Sequence, residues 1–101
     1  MVKLVESVKL TVENELENAN DKFPMFNSSH EGYAIILEEV EEAKCEMDMV
    51  TYDIQAAWEL IKANKTSLPM IKALKNRAIL LAAEAIQVAA MCTKFIDSNL
   101  K

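Results

Sequence analysis

Apolar and polar residues alternate along this chain with the spacing of α-helices. Between residues 2 and 19 the apolar residues recur every three or four positions, which predicts a first helix. They are Val5, Val8, Val12, Leu16 and Ala19. Residues 20–28 contain Pro24 and several turn-forming residues, and this composition predicts a loop.

Two longer stripes follow, and each predicts a long helix. Ser28 and Glu31 have the S-x-x-E spacing of a capping box, which marks the start of the second helix. Ser67 is expected to cap the third helix, with Pro69 in its first turn. The apolar residues fill heptad positions a and d in both stripes. The second helix has Tyr33, Ile36, Val40, Ala43, Met47, Val50, Ile54, Ala57 and Ile61; the third has Ile71, Leu74, Ala78, Leu81, Ala85, Val88, Cys92 and Phe95.

The length of the second helix bears on the assembly state. An unbroken helix over residues 30–63 is about 50 Å long, whereas a compact globule of this size is only about 35 Å across. Either this helix kinks or the chain packs against a second copy. The third helix is apolar on nearly all sides, which is more surface than one neighbour covers. We therefore predict a single all-α domain, residues 1–101, with two long antiparallel helices and a shorter N-terminal one, completed as a homodimer or homotetramer.

The composition agrees with a helical domain and restricts its partners. The chain contains one Gly and two Pro, and its net charge of −5 argues against binding to nucleic acid phosphates. Lys and Arg are scattered, and residues 78–92 are shorter than the roughly 20 apolar residues that span a bilayer. We therefore expect neither a nucleic acid nor a membrane partner. Cys45 and Cys92 lie far apart and do not have the spacing of zinc ligands. We therefore expect both to be reduced thiols in a cytoplasmic protein.

One carboxylate lies inside the most hydrophobic part of the chain. Residues 78–92 read AILLAAEAIQVAAMC, so Glu84 is surrounded by apolar residues. A charge removed from water costs several kcal/mol unless a partner compensates it. A buried ion pair with Lys44, Lys72 or Lys75 is one explanation, and a bound cation is the other.

The heptad register relates Glu84 to a second acidic pair. Glu39 and Glu84 both occupy position g of their own stripes. Glu42 and Gln87 both occupy position c, three residues further on. Side chains three apart share one helix face, and several carboxylates around one space need a counter-charge. Mg²⁺ prefers such oxygen ligands, although the sequence EEVEEAKCEMD is also acidic enough to be simply a solvated face.

At these residues the chain resembles a known family. The segment KFPMFNSSHEGYAIILEEVEEA, followed by AAEAIQVAAMCTKFI, looks like small phage or prophage-encoded members of the MazG-like all-α nucleoside triphosphate pyrophosphohydrolases. The resemblance covers roughly residues 22 to 98. It implies Mg²⁺-dependent cleavage of a nucleoside or deoxynucleoside triphosphate to the monophosphate and pyrophosphate. It also implies that Glu39, Glu42 and Glu84 are metal ligands, with Gln87 beside them where the family usually has Asp.

The loop before the second helix supplies candidates for substrate binding. By the same resemblance Lys22, Phe23 and His30 lie near the pocket, at a helix N-terminus that favours an anion. Lys22 is a candidate phosphate ligand, and Phe23 is a candidate for stacking on a base. The alternative is that Phe23 and Phe26 plug the end of the bundle while Lys22 is solvated.

Three functional interpretations follow from the sequence. The first is the pyrophosphohydrolase with Mg²⁺ as its cofactor. The second is a non-catalytic helical oligomer on the same scaffold that binds nucleotide or a protein partner. The third is a purely structural oligomer in which Glu84 pairs with a lysine.

Overall fold

The computed structural model describes residues 1–100, which form three α-helices and no strand within that range. Helix α1 spans Val2–Lys22, α2 spans Ser29–Lys62 and α3 spans Leu68–Asp97. The all-α prediction is confirmed, and α2 is an unbroken helix of 34 residues. The predicted loop is shorter than expected, because α1 continues through residues 20–22.

Local side-chain chemistry sets the ends of the long helices. The Ser28 half of the predicted capping box is confirmed, since the backbone N–H of Glu31 donates to Oγ of Ser28 at 3.1 Å. The Glu31 carboxylate accepts a bond from the Asn27 side chain at 3.5 Å. Ser67 is the N-cap residue of α3, but its hydroxyl makes no cap bond because its own backbone is already helical. The hydroxyl of Thr66 instead accepts a bond from the N–H of Leu68 at 3.4 Å.

Asn64 ends α2 by turning the chain into the left-handed region, with φ of 56°. The N–H of Asn64 then donates to the carbonyl of Ile61, and that of Lys65 donates to the carbonyl of Leu60. These two bonds form a Schellman motif, which satisfies carbonyls that the last turn leaves unpaired. The short connection turns the chain so that α3 returns along α2.

Helices α2 and α3 form an antiparallel pair with a fixed register. Near one end Gly32 lies against the ring of Phe95, so closely that a Cβ at residue 32 would overlap it. Near the other end Arg77 Nε lies 3.3 Å from Oδ2 of buried Asp53. The sequence separation of these pairs falls from one end to the other, as an antiparallel hairpin requires.

The face that joins α2 to α3 differs from the predicted one in one of its two rows. Row d is shared, but row g contacts the partner helix in place of row a. On α2 row g consists of Gly32, Glu39, Glu46, Asp53 and Leu60, all buried or half-buried. On α3 row g consists of Met70, Arg77, Glu84 and Met91 and is continued by the C-cap residue Ser98, all buried or half-buried. The predicted row a of α2 is exposed: Tyr33, Val40, Met47, Ile54 and Ile61.

Helix α1 is attached more weakly than the other two. It packs on α3 and not on α2, and none of its residues is buried. Its residues Val12, Leu16 and Ala19 pack against a small core formed by Phe26, Ala90 and Met91. Helices α1 and α2 therefore lie on α3 with a gap between them.

The chain is extended and exposes more surface than a compact monomer. Its radius of gyration is 17.3 Å, against about 13 Å for a globule of this length. Its accessible surface is 7504 Å², against about 5,800 Å² for a folded monomer of 11.4 kDa. A single copy thus leaves apolar surface uncovered.

Helix α3 is long and apolar enough to cross a membrane by length and composition. Only 17% of its most apolar window is buried within the chain. Residues 78–92 are too short to span a bilayer, but the full 30-residue helix is not excluded on length. Core helices that bury their apolar surface against protein meet the same criteria.

Candidate metal centre and adjoining cavity

Three carboxylates converge where row g of α2 faces row g of α3. Glu39, Glu42 and Glu84 each place one oxygen within 4.8 Å of the oxygens of the other two. Glu39 and Glu42 come from adjacent turns of α2, and Glu84 comes from the facing turn of α3. The structure therefore brings together the three acidic residues that were predicted as metal ligands. Their role as ligands stays a prediction.

The environment of the Glu39 carboxylate disfavours its charged form. Desolvation raises its pKa, and the nearby carboxylates of Glu42 and Glu84 raise it further, with smaller effects from Glu38 and Glu15. Its Oε2 atom is buried and has no hydrogen-bond partner among residues 1–100. A buried oxygen of this kind costs free energy until a donor or a cation reaches it.

Glu84 is in a similar environment and forms no ion pair with any of residues 1–100. Desolvation raises the pKa of Glu84, and a hydrogen bond with Glu42 adds to the shift, as does the charge of Glu46. Within residues 1–100, no ion pair joins Glu84 to Lys44, Lys72 or Lys75. The structural interpretation, an oligomer in which Glu84 pairs with a lysine, therefore finds no such pair within the described chain and stays a prediction for an assembly.

The donor set fits a hard divalent cation. All three candidate ligands are carboxylate oxygens, which Mg²⁺ prefers, and Mg²⁺ normally keeps several waters in its octahedral shell. The three oxygens lie within 4.8 Å of one another, which makes the three groups candidates for holding one ion. The buried Oε2 of Glu39 supports the same fit, because it lacks a hydrogen-bond partner among residues 1–100.

Gln87 lies one turn beyond Glu84, but its amide group is hydrogen-bonded to a residue of another helix. Its Nε2 atom donates a hydrogen bond to Oε1 of Glu15 on α1 at 2.8 Å. Only the Gln87 carbonyl oxygen is left to face a cation or a metal-bound water. Glu15 was not among the predicted site residues, because its position on α1 gave no indication that it faces α3.

A cavity of about 460 Å³ opens beside the acidic cluster, in the gap between α1 and α2. Its wall includes Glu39 and Gln87, so it adjoins the candidate metal centre. Lys22 and Phe23, both predicted as substrate-binding residues, also line it. His30 is exposed and is not among the lining residues.

The floor of this cavity contains a residue that sequence reasoning missed. Lys94 on α3 lines the cavity and is only 2% exposed. Its Nζ lies 3.4 Å from the Phe23 carbonyl and 5.3 Å from the centroid of the Phe26 ring. Lys94 is seven residues after Gln87, which places the two on the same helix face. That spacing is the signal that could have identified it.

A second, shallower depression adjoins the acidic cluster on its other side. It is lined by Glu42 and Glu84 together with Glu38, Glu41, Cys45 and Glu46. Glu39 faces the first cavity, whereas Glu42 and Glu84 face the second. The three-carboxylate cluster therefore lies at the boundary between the two depressions.

Comparisons with family models, with characterised proteins and with solved structures give no match for this chain. The MazG-like resemblance therefore rests on the residues quoted for it.

Proposed function

We propose that this protein is a Mg²⁺-dependent pyrophosphohydrolase that cleaves a nucleoside or deoxynucleoside triphosphate to the monophosphate and pyrophosphate. The observation that carries the proposal is the convergence of Glu39, Glu42 and Glu84 without a basic partner in the described chain. The adjoining cavity is within the 300–1,000 Å³ range of small-molecule sites. An acidic cluster next to such a cavity suits a ligand that brings cations and phosphates together.

The chain's own residues divide the work in this proposal. Glu39, Glu42 and Glu84 hold Mg²⁺, and Gln87 orients a water through its carbonyl oxygen. When held by these residues, Mg²⁺ would supply neutralisation of phosphate charge and activation of a water. Phe23 and the apolar lining of the cavity hold the base, and Lys22 screens the phosphate charge at the rim.

The proposed active form is a homodimer or homotetramer. Row a of α2 presents one large apolar side chain per heptad to solvent, and apolar surface of this extent is unusual for a monomer. The accessible surface exceeds that of a compact monomer by about 1,700 Å². That is as much as the larger protein interfaces remove from one subunit. A second copy that packs its own α2 and α3 there covers this surface.

The second candidate function is a non-catalytic oligomer that binds a nucleotide without turnover. The bond between Gln87 and Glu15 favours this candidate, because it directs the Gln87 amide group towards Glu15 and away from the acidic cluster. The cluster then consists of three carboxylates. Three carboxylates hold one cation more readily than the several cations that phosphoryl-transfer sites often use.

Pyrophosphate release from a panel of ribo- and deoxyribonucleoside triphosphates tests the proposal. We expect Mg²⁺-dependent release that Glu84→Gln abolishes. The matched control Glu17→Gln removes an exposed carboxylate of α1, and it should leave the rate unchanged. Stabilisation by nucleotide without release in any member of the panel would support the binding protein and overturn the enzyme.

A further inference from the structure

Lys94 is a buried cation without a carboxylate partner among the described residues. It is 2% exposed, and within residues 1–100 no carboxylate oxygen lies within 4 Å of its ammonium group. Burying an ammonium group is costly unless a charge or several acceptors compensate it. The Phe26 ring face contributes a cation–π contact at 5.3 Å, which covers only part of that cost.

The hydrogen bonding of Lys94 is incomplete. An ammonium group has three donors, and the described chain offers it one acceptor, the Phe23 carbonyl, at 3.4 Å. That distance is long for an N–H···O bond, whose usual value is about 2.9–3.0 Å. Lys94 therefore has donor capacity available, and it lines the cavity.

The position of Lys94 separates it from the acidic cluster. It lies seven residues after Gln87, about 10 Å further along the axis of α3. The lining near it is largely aromatic and aliphatic, from Phe23, Phe26 and Met91. In a nucleotide the base and the phosphates lie at opposite ends, so the end at Lys94 suits the base when the acidic end holds the phosphates.

We propose that Lys94 and the backbone carbonyl of Phe23 together recognise a nucleobase that carries a ring carbonyl next to a ring N–H. Uracil, thymine, guanine and hypoxanthine have this edge, whereas cytosine and adenine do not. The Lys94 ammonium donates to the ring carbonyl, and the Phe23 carbonyl accepts from the ring N–H. This inference rests on the proposed function for the direction of the nucleotide, but base recognition does not require cleavage.

Two matched ligands isolate this recognition from the phosphate chemistry. UMP and CMP have the same ring size and the same phosphate, and they differ in the edge that Lys94 and Phe23 would contact. Their affinities can be measured by calorimetry or by amide shift titration in Mg²⁺-free buffer. We expect UMP to bind at least about tenfold more tightly than CMP, as one hydrogen bond to a charged group allows.

Lys94→Met keeps the aliphatic stem and removes the donor, so the core should tolerate it. It should weaken UMP binding by about tenfold or more and leave CMP binding almost unchanged. Lys22→Met is the matched control, since Lys22 lines the same cavity and is exposed. It should change the affinity for both ligands equally and preserve the preference for UMP.

Equal binding of UMP and CMP to the unmodified protein would overturn the inference, and this readout does not depend on a variant that folds. An equal loss of both affinities in Lys94→Met would also overturn it, because it would place a phosphate at Lys94. Absence of binding by either ligand at millimolar concentration has the same consequence. A Lys94-dependent preference for UMP without triphosphate cleavage would support the inference and reject only the proposed reaction. Cleavage without any base preference would support the proposed reaction and reject the inference.

Discussion

Gln87 on α3 donates a hydrogen bond from Nε2 to Oε1 of Glu15 on α1, at 2.8 Å. Among the described residues, this bond joins the loosely packed first helix to the edge of the acidic cluster. Glu15 also contributes to the raised pKa of Glu39, so α1 adds negative charge to the site. At position 87, where the resembled family usually has Asp, this chain has an amide, and that amide is hydrogen-bonded to the carboxylate of Glu15 on another helix.

The coupling between these two residues can be measured by a double-mutant cycle. We expect Glu15→Ala and Gln87→Ala to lower the free energy of unfolding, with a coupling energy of about 1 kcal/mol for a partly buried hydrogen bond. Urea unfolding followed by circular dichroism supplies the four values. A coupling near zero would mean that the bond does not persist in solution.

Glu84→Gln should stabilise the protein without metal in a pH-dependent way. The folded pKa of Glu84 is raised, so between the ordinary carboxyl range and the raised value the folded state binds more protons than the unfolded state. The stability of the unmodified protein therefore falls as pH rises through this window. The variant lacks this penalty, so its Tm should exceed that of the unmodified protein at pH 7, with the difference shrinking towards pH 4. A constant difference at all pH values would contradict this assignment.

Mg²⁺ should raise the Tm of the unmodified protein if the cluster binds it. A ligand present at ten times its dissociation constant stabilises the folded state by about 1.4 kcal/mol. We expect the shift to disappear in Glu39→Gln and Glu42→Gln and to persist in Glu17→Gln, measured by differential scanning fluorimetry at constant ionic strength. An equal shift with NaCl of matched ionic strength would show screening instead of a site.

Gly32→Ala should destabilise the protein by about 1–3 kcal/mol, the usual cost of overpacking a core. A Cβ at residue 32 would overlap the Phe95 ring and lie 3.0 Å from the ring of Phe26. Phe95→Leu in the same chain should recover part of the loss by making room. If Gly32→Ala stabilises the protein, as Gly→Ala does in an open helix, this close packing is absent in solution.

Met47→Glu should weaken the proposed self-association. Met47 lies in the exposed row a of α2, so a charge there would be buried at an interface between copies. Gln55→Glu adds the same charge at the adjacent b position and serves as the control. Light scattering after size exclusion should give a smaller mass for Met47→Glu only. A monomeric unmodified protein would overturn the assembly.

The sequence predicted the helices well because their signals are local. Helical spacing and the Ser28 cap depend on neighbours within one or two turns, and both are confirmed. The prediction of the contact face was correct for one of its two rows. Rows a and d were predicted and rows d and g are in contact, and both pairs of rows have a 3-4 spacing and share row d. Row g was not recognised as a contact row because it contains charged residues such as Glu39 and Asp53, and charged residues are uncommon in the contact between two helices.

The candidate site was predictable in part for the same reason. The equal heptad positions of Glu39 and Glu84 were readable, and antiparallel pairing brings them together. Lys94 was not identified, because a lysine within an apolar run is usually a surface residue whose side chain reaches solvent. Its burial depends on the path of α1 and of residues 23–28, and no local pattern encodes that path.

The weak attachment of α1 has a consequence for how the cavity fills. A helix without any buried residue opens locally at a small fraction of the global unfolding free energy. The amide protons of residues 2–22 should therefore exchange with solvent well before those around Ala57 and Ala90, which are almost fully buried. Because one wall of the cavity belongs to this helix, a ligand can enter by transient undocking of α1 while α2 and α3 keep the acidic cluster and Lys94 in place.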